Sequence, residues 1–286
     1  MTMTISTTSA IDHGTSSAPS PARRVTERSR RDDLAAGPAA LRSEWIKATS
    51  LRSNVAIVAS IPVIGVLLSW ILAAFVKIDP DTHLPFNVGE TFIFSTWLTT
   101  VLATIVGALL FTSEVQHGTI ANAVAAQPAR WVIVAAKSTL AAGFGLAMGV
   151  LGMIGGLSGA VLGGLEKGDT SGMASTALWG LLLTTLAPLL GLGVGMIVRH
   201  SAAAISIVLV WALVLENLVR TLVPANAARF MPFSAAAGLL GISQATDDAS
   251  TLAAALSRVQ DAVLFGGYVA LALAVGTVLF YRRDTN

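Results

Sequence analysis

The side chains able to do bond chemistry are few, and their spacing does not suit it. The chain has four histidines, His13, His83, His117 and His200, and no cysteine. A thiol nucleophile, a thiolate metal site and a disulfide framework are therefore excluded. No two histidines lie at helical or hairpin spacing and the carboxylates are scattered, so no metal-ligand pattern is present in the sequence. Gly156-Leu157-Ser158-Gly159 offers a serine nucleophile within an apolar segment. Such a serine needs a histidine base within hydrogen-bond reach, and no histidine falls inside an apolar run. The glycine-bounded stretch 163–168 is followed by Asp169 where a phosphate-binding loop needs lysine, so this chain is not expected to hold ATP in that manner. The expectation is a protein that is not an enzyme and has no cofactor or metal of its own.

The elements that carry these residues are apolar. Of 286 residues, 54% are hydrophobic and 12% charged, and the mean hydropathy is +0.73. A soluble domain could not hide that much apolar surface. Eighteen Lys and Arg against sixteen Asp and Glu give a formal charge of +2, which argues against nucleic-acid binding as the main task. A helix needs about 20 mostly apolar residues to cross a hydrocarbon core of roughly 30 Å. Six such runs occur, at 54–76, 91–111, 132–162, 174–198, 201–223 and 262–281, the third long enough to tilt or to break among its glycines. The fold class predicted is an all-α membrane protein with six transmembrane helices.

Basic residues resist translocation, and their distribution sets the orientation. Thirteen of the eighteen fall on one side, among them Arg23 to Arg31, Arg42, Lys47, Arg52, Arg130, Lys137, Arg199, Arg282 and Arg283. Lys77, Lys167, Arg220, Arg229 and Arg258 fall on the other. Both termini are then cytoplasmic, as an even number of spans requires. Residues 1–36, rich in Ser, Thr, Pro and Ala, read as a disordered cytoplasmic tail ahead of a six-span membrane domain at 37–286. Between Pro38 and Arg52, Leu41, Trp45 and Ala48 recur at helical spacing opposite Arg42 and Lys47, which predicts an interfacial helix on the inner leaflet.

Two connections are long. In the cytoplasmic one, 112–130, Ser113 and Gln116 stand at capping-box spacing, so a helix is expected to restart there, with Gly118 as an elbow, Thr119 as a second cap and Pro128 as a stop. The extracytoplasmic one, 224–261, is too apolar for a free loop, and short helices dipping into the outer leaflet are expected, the last at 252–259. Gly145 to Gly163 in the third run and Gly191 to Gly195 in the fourth form small-xxx-small patterns that suit tight packing. Pro62 and Pro188 are expected to kink their helices. Thr96, Thr100 and Thr104 form a stripe along the second run; threonines can satisfy themselves on the preceding turn, or line a path. Glu216, beside Asn217 in the fifth run, is costly to bury and calls for a partner, with Arg220 one turn on, or a water-filled cavity.

The run Phe111 to Ile120, followed by Pro128-Ala129-Arg130 and Lys137, resembles the inner-loop pattern of type-2 ATP-binding-cassette transporter permeases. Leu41 to Lys47 with Arg52, and the stretch from Glu216 to Met231-Pro232-Phe233, agree with that resemblance, which covers about residues 38–283. Val115 and Gln116 depart from it, since the family often has an aromatic and a basic residue there. The resemblance implies the membrane subunit of an exporter in a bacterial inner membrane, pairing with a second permease protomer. It also implies a separate cytoplasmic P-loop ATPase that carries the ATP and Mg. Glu114, His117, Gly118 and Thr119 would couple to that ATPase. Thr96, Thr100, Thr104, Glu216 and Asn217 would border the route of an apolar or amphipathic cargo. An ion-coupled secondary transporter and a non-transporting scaffold or sensor subunit are the alternatives.

Overall fold

In the computed structural model, residues 30–50, 52–78, 87–167, 171–242 and 254–283 are described. They are helical, with no strand among them. The elements are α1 (Arg30–Ser50), α2 (Arg52–Ile78), α3 (Val88–Gln116), α4 (Thr119–Ala126), α5 (Arg130–Leu162), α6 (Met173–Val198), α7 (Ser201–Val210), α8 (Glu216–Leu222), α9 (Ala225–Ala228), α10 (Pro232–Leu240) and α11 (Arg258–Arg282). A π-helical turn, Trp211–Leu215, joins α7 to α8. Six helical stretches are long and apolar enough to cross a membrane: the greater part of α2, then α3, α5, α6, α7 through α8, and α11.

α3, α5 and α6 pack on one another and form the centre, with α2 laid on α5, α11 on α6 and α7 on α3. Glycine decides how close these helices come. Side chains added at Gly145 and Gly149 would strike Thr184 and Pro188 of α6, at Gly152 and Gly156 would strike Thr99 and Ser95 of α3, and at Gly155 and Gly159 the backbone of α2 at Pro62 and Val66. The glycines of α5 thus serve three seams, in which its backbone comes up against backbone or small polar side chains of the neighbouring helix. Gly107, Gly191 and Gly195 do the same between α3 and α6. α5 runs unbroken for 33 residues, so of the tilt or break expected from its length there is no break. At 1.5 Å per residue it is roughly 50 Å long, more than a bilayer core requires.

Large apolar side chains that find no place in these seams lie outside. Val63, Leu67, Trp70 and Phe75 of α2, Leu213, Val214, Leu218 and Leu222 of the fifth span, and Val263, Leu271 and Val278 of α11 are each at least half exposed. A surface so apolar suits lipid rather than water.

Several boundaries differ from those read off the sequence. α1 begins at Arg30, within the stretch expected to be a disordered tail, and Pro38 lies inside it rather than in its first turn. Its packed face carries Glu44 and Ala48, whereas Trp45 is 56% exposed and stacks on Phe144 with ring centroids 6.3 Å apart. No capping box forms at Ser113, because its hydroxyl donates back to the Leu109 carbonyl and α3 continues to Gln116. A capping box does form at Ser257 and Gln260, starting α11 at Arg258, so Val259 belongs to the last span and not to a separate outer helix. The connection after the fifth span, expected to be extracytoplasmic, carries α9 and α10, the short helices its composition called for.

Candidate functional site

One end of the bundle gathers α1, α4 and the ends of α3, α5, α6, α7 and α11. Arg130 donates to the Phe280 carbonyl at 2.6 Å, Arg283 to the Ile197 carbonyl at 2.9 Å, and Ser201 to the Thr112 hydroxyl at 2.9 Å. The opposite end is tied by Val88 N–H donating to the Glu166 carbonyl at 3.0 Å and by Arg258 reaching Thr176 at 3.2 Å.

At the first end α3 stops in an elbow. Gly118 has φ +68°, a left-handed conformation that a Cβ would disfavour, and it turns the chain into α4. Gln116, His117, Gly118 and Thr119 are all exposed. His117 Nδ1 lies 2.7 Å from the Ser113 carbonyl, and the Thr119 hydroxyl donates to the Glu114 carbonyl at 3.3 Å, which tightens the turn. Ile120 is the buried residue of α4, packed in a cluster with Phe111, Ala141, Leu192, Met196 and Phe280. The elbow is therefore an exposed knuckle rooted in the core by Ile120, with Val115 and Val124 packed beside it.

Beneath the knuckle lies a four-residue ion cluster. The Lys137 ammonium, 2% exposed, donates to Glu44 Oε2 at 2.7 Å and to the Leu110 carbonyl at 3.4 Å, and pairs with Glu114 Oε1 at 2.8 Å. Lys47 closes the ring, 2.6 Å from Glu44 and 3.5 Å from Glu114. Three helices, α1, α3 and α5, are thus joined through charged groups. Burial alone would raise the Glu44 pKa, but the Lys137 and Lys47 ammonium groups win and hold it below its ordinary value. Burial would likewise lower that of Lys47, and the Glu44 and Glu114 carboxylates raise it instead.

The residues named for a cargo route are not brought together. Thr96, Thr100 and Thr104 are buried, each hydroxyl donating to the carbonyl four residues earlier, at 2.8 to 2.9 Å. They face α6, where Gly180 meets Thr96 and Gly191 meets the Thr104 carbonyl. Glu216 is 3% exposed, and its carboxylate accepts from the backbone N–H of Phe233, at 3.1 Å, and of Ser234. These are amides of the first turn of α10, whose own N-cap residue, Met231, provides no side-chain cap. Among the described residues Arg220 makes no ion pair with Glu216, so the expected partner is replaced by a helix N-terminus. Asn217 points the other way: it is exposed, its amide donating to the Leu213 carbonyl at 2.9 Å.

Sequence reading passed over Glu44 and Lys137 as site residues. The signal was present in Lys137, a charge seven residues into an apolar helix, which requires a buried counterion. It was weak in Glu44, one charge among several on α1. Among the described residues no group of three or more His, Asp and Glu side chains could hold a metal ion. The chain matches no known family and no curated protein in sequence.

Proposed function

We propose that this chain is the membrane-spanning permease subunit of an ATP-driven exporter in a bacterial inner membrane, of the type-2 ATP-binding-cassette kind that its inner loop resembles. The observation that carries the reading is the elbow: an exposed turn at His117 to Thr119, continuous with a spanning helix and braced by an ion cluster on two other helices. A surface of that build can accept a push from a partner and pass it to several helices at once. The end holding it also carries Arg42, Lys47, Arg130, Lys137, Arg199, Arg282 and Arg283, so the positive-inside rule puts it in the cytoplasm with both termini. There a separate P-loop ATPase, carrying ATP and Mg, would dock on the elbow, and α1 would lie along the inner leaflet.

Two such subunits would flank the cargo route. Asn217, exposed within the fifth span, is the polar residue best placed on an outer face to meet a second protomer or a cargo. In the conformation described, the threonine stripe holds α3 to α6, and Glu216 fixes the outer helix α10. Their part in transport would be to set the geometry of the path.

Gly118→Pro tests the elbow. Proline cannot adopt φ +68°. The variant is expected to insert in the membrane at normal levels yet lose cargo-stimulated ATPase activity in the assembled complex. Unchanged stimulation would remove the elbow from the mechanism.

A further inference from the structure

The flank of α1 turned away from the ion cluster carries a groove of about 560 Å³, lined by Pro38, Ala39, Arg42, Ser43, Ile46 and Lys47. The lining follows from helical spacing: Pro38, Arg42 and Ile46 form one row at i, i+4, i+8, and Ala39, Ser43 and Lys47 the neighbouring one. Arg42 and Ser43 are exposed, and among the described residues Arg42 forms no ion pair. Lys47 also lines a void of about 30 Å³ on the inner side, next to Glu44, Ser113 and Glu114. Its side chain, 40% exposed, thus reaches from the open groove to the buried carboxylates.

We propose that this groove binds the phosphate of an anionic phospholipid headgroup, held by Arg42 and Lys47 with the Ser43 hydroxyl beside them. Charge balance supports it. Glu44 and Glu114 are matched by Lys47 and Lys137, so the cluster is neutral and does not repel an anion, while Arg42 has no ion partner among the described residues and can meet one. A guanidinium presents its donors in a fork that fits phosphate oxygens. Lys47 has three N–H donors, and of its two carboxylate contacts only Glu44 is close, at 2.6 Å against 3.5 Å for Glu114. A donor therefore remains for the groove. Trp45 and Ile46, more than half exposed on the same helix, offer the apolar surface that a lipid, but not a free phosphate, would cover. Because Lys47 touches Glu114 at the foot of the elbow, occupancy of the groove would be felt there. The proposal rests on the chain lying in a bilayer and is independent of the transport reading.

The test is hydrogen exchange of the full-length protein in nanodiscs of phosphatidylcholine with increasing phosphatidylglycerol. Phosphatidylglycerol is expected to slow exchange over residues 38–48 and to alter it over 114–122. Arg42→Gln, which lies outside the ion cluster, is expected to raise the phosphatidylglycerol fraction needed for half the effect about fivefold, the equivalent of about 1 kcal/mol for one basic residue near an anionic surface. Arg282→Gln, a charge removed at the same end but outside the groove, is expected to leave the response unchanged. A wild-type response in Arg42→Gln, or an equal loss in Arg282→Gln, would overturn the site in favour of diffuse surface attraction. Equal protection by inorganic phosphate in pure phosphatidylcholine nanodiscs would overturn the lipid as its ligand.

Discussion

At the residue scale the account turns on Lys137. Its ammonium is buried between two carboxylates, and burying a charge is tolerable only because its donors are taken up by Glu44, Glu114 and the Leu110 carbonyl. Removing it in Lys137→Met would leave two buried carboxylates facing one half-exposed lysine. The expected cost is about 3–5 kcal/mol, seen as a lowered thermal unfolding midpoint in mild detergent. Adding Glu44→Gln to that variant should recover part of the loss, since it removes one of the stranded charges. The cluster also sets a pH dependence. The Glu44 pKa is depressed from its ordinary 4.5, so its ion pairs contribute in full above that value and are lost as pH falls through the lower folded value. Melting curves across that acid range should therefore fall more steeply for wild type than for Glu44→Gln. Parallel curves would contradict an ionised, paired Glu44. Only the Glu44–Lys47 pair, three residues apart on α1, has a spacing that shows it; the partners of Lys137 are 93 and 23 residues away from it along the chain.

At the scale of elements, apolar length made the six spans legible, and glycine spacing marked their tight seams. The sequence failed where tertiary structure overrides local preference. Ser113 and Gln116 have the spacing of a cap, yet the spanning helix does not end for them, and Gly118 makes the turn instead. The fifth span reads as one apolar run, but its π turn shifts the register just before Glu216. Glu216 then works for another element, supplying the N-terminal cap that α10 lacks in its own sequence. Glu216→Ala is expected to free those amides at a cost of about 1–2 kcal/mol, the usual value of a helix cap. Hydrogen exchange should quicken at residues 233–236 while the α3–α6 seam stays protected. Unchanged exchange at 233–236 would show that α10 stands without the carboxylate.

At the scale of the whole molecule, composition pointed to a polytopic membrane protein, and the structure supplies a helical bundle with six helices long and apolar enough to cross a membrane. The role of the threonine stripe was less legible, because such a stripe reads alike whether it lines a channel or locks two helices. In this conformation glycines of α6 are pressed against it. The elbow, by contrast, was marked in the sequence by Gly118, and the structure adds an anchoring Ile120 and a brace of charge. Its meaning depends on what sits on it. The most direct measurement is a pull-down of the tagged chain from its native membrane in mild detergent, beside Glu114→Ala, which removes the brace under the elbow. The account requires that a P-loop ATPase of separate sequence co-purify with the wild-type chain and be recovered in smaller amount with the variant. Its reproducible absence, under conditions that keep known membrane complexes intact, would contradict the exporter reading.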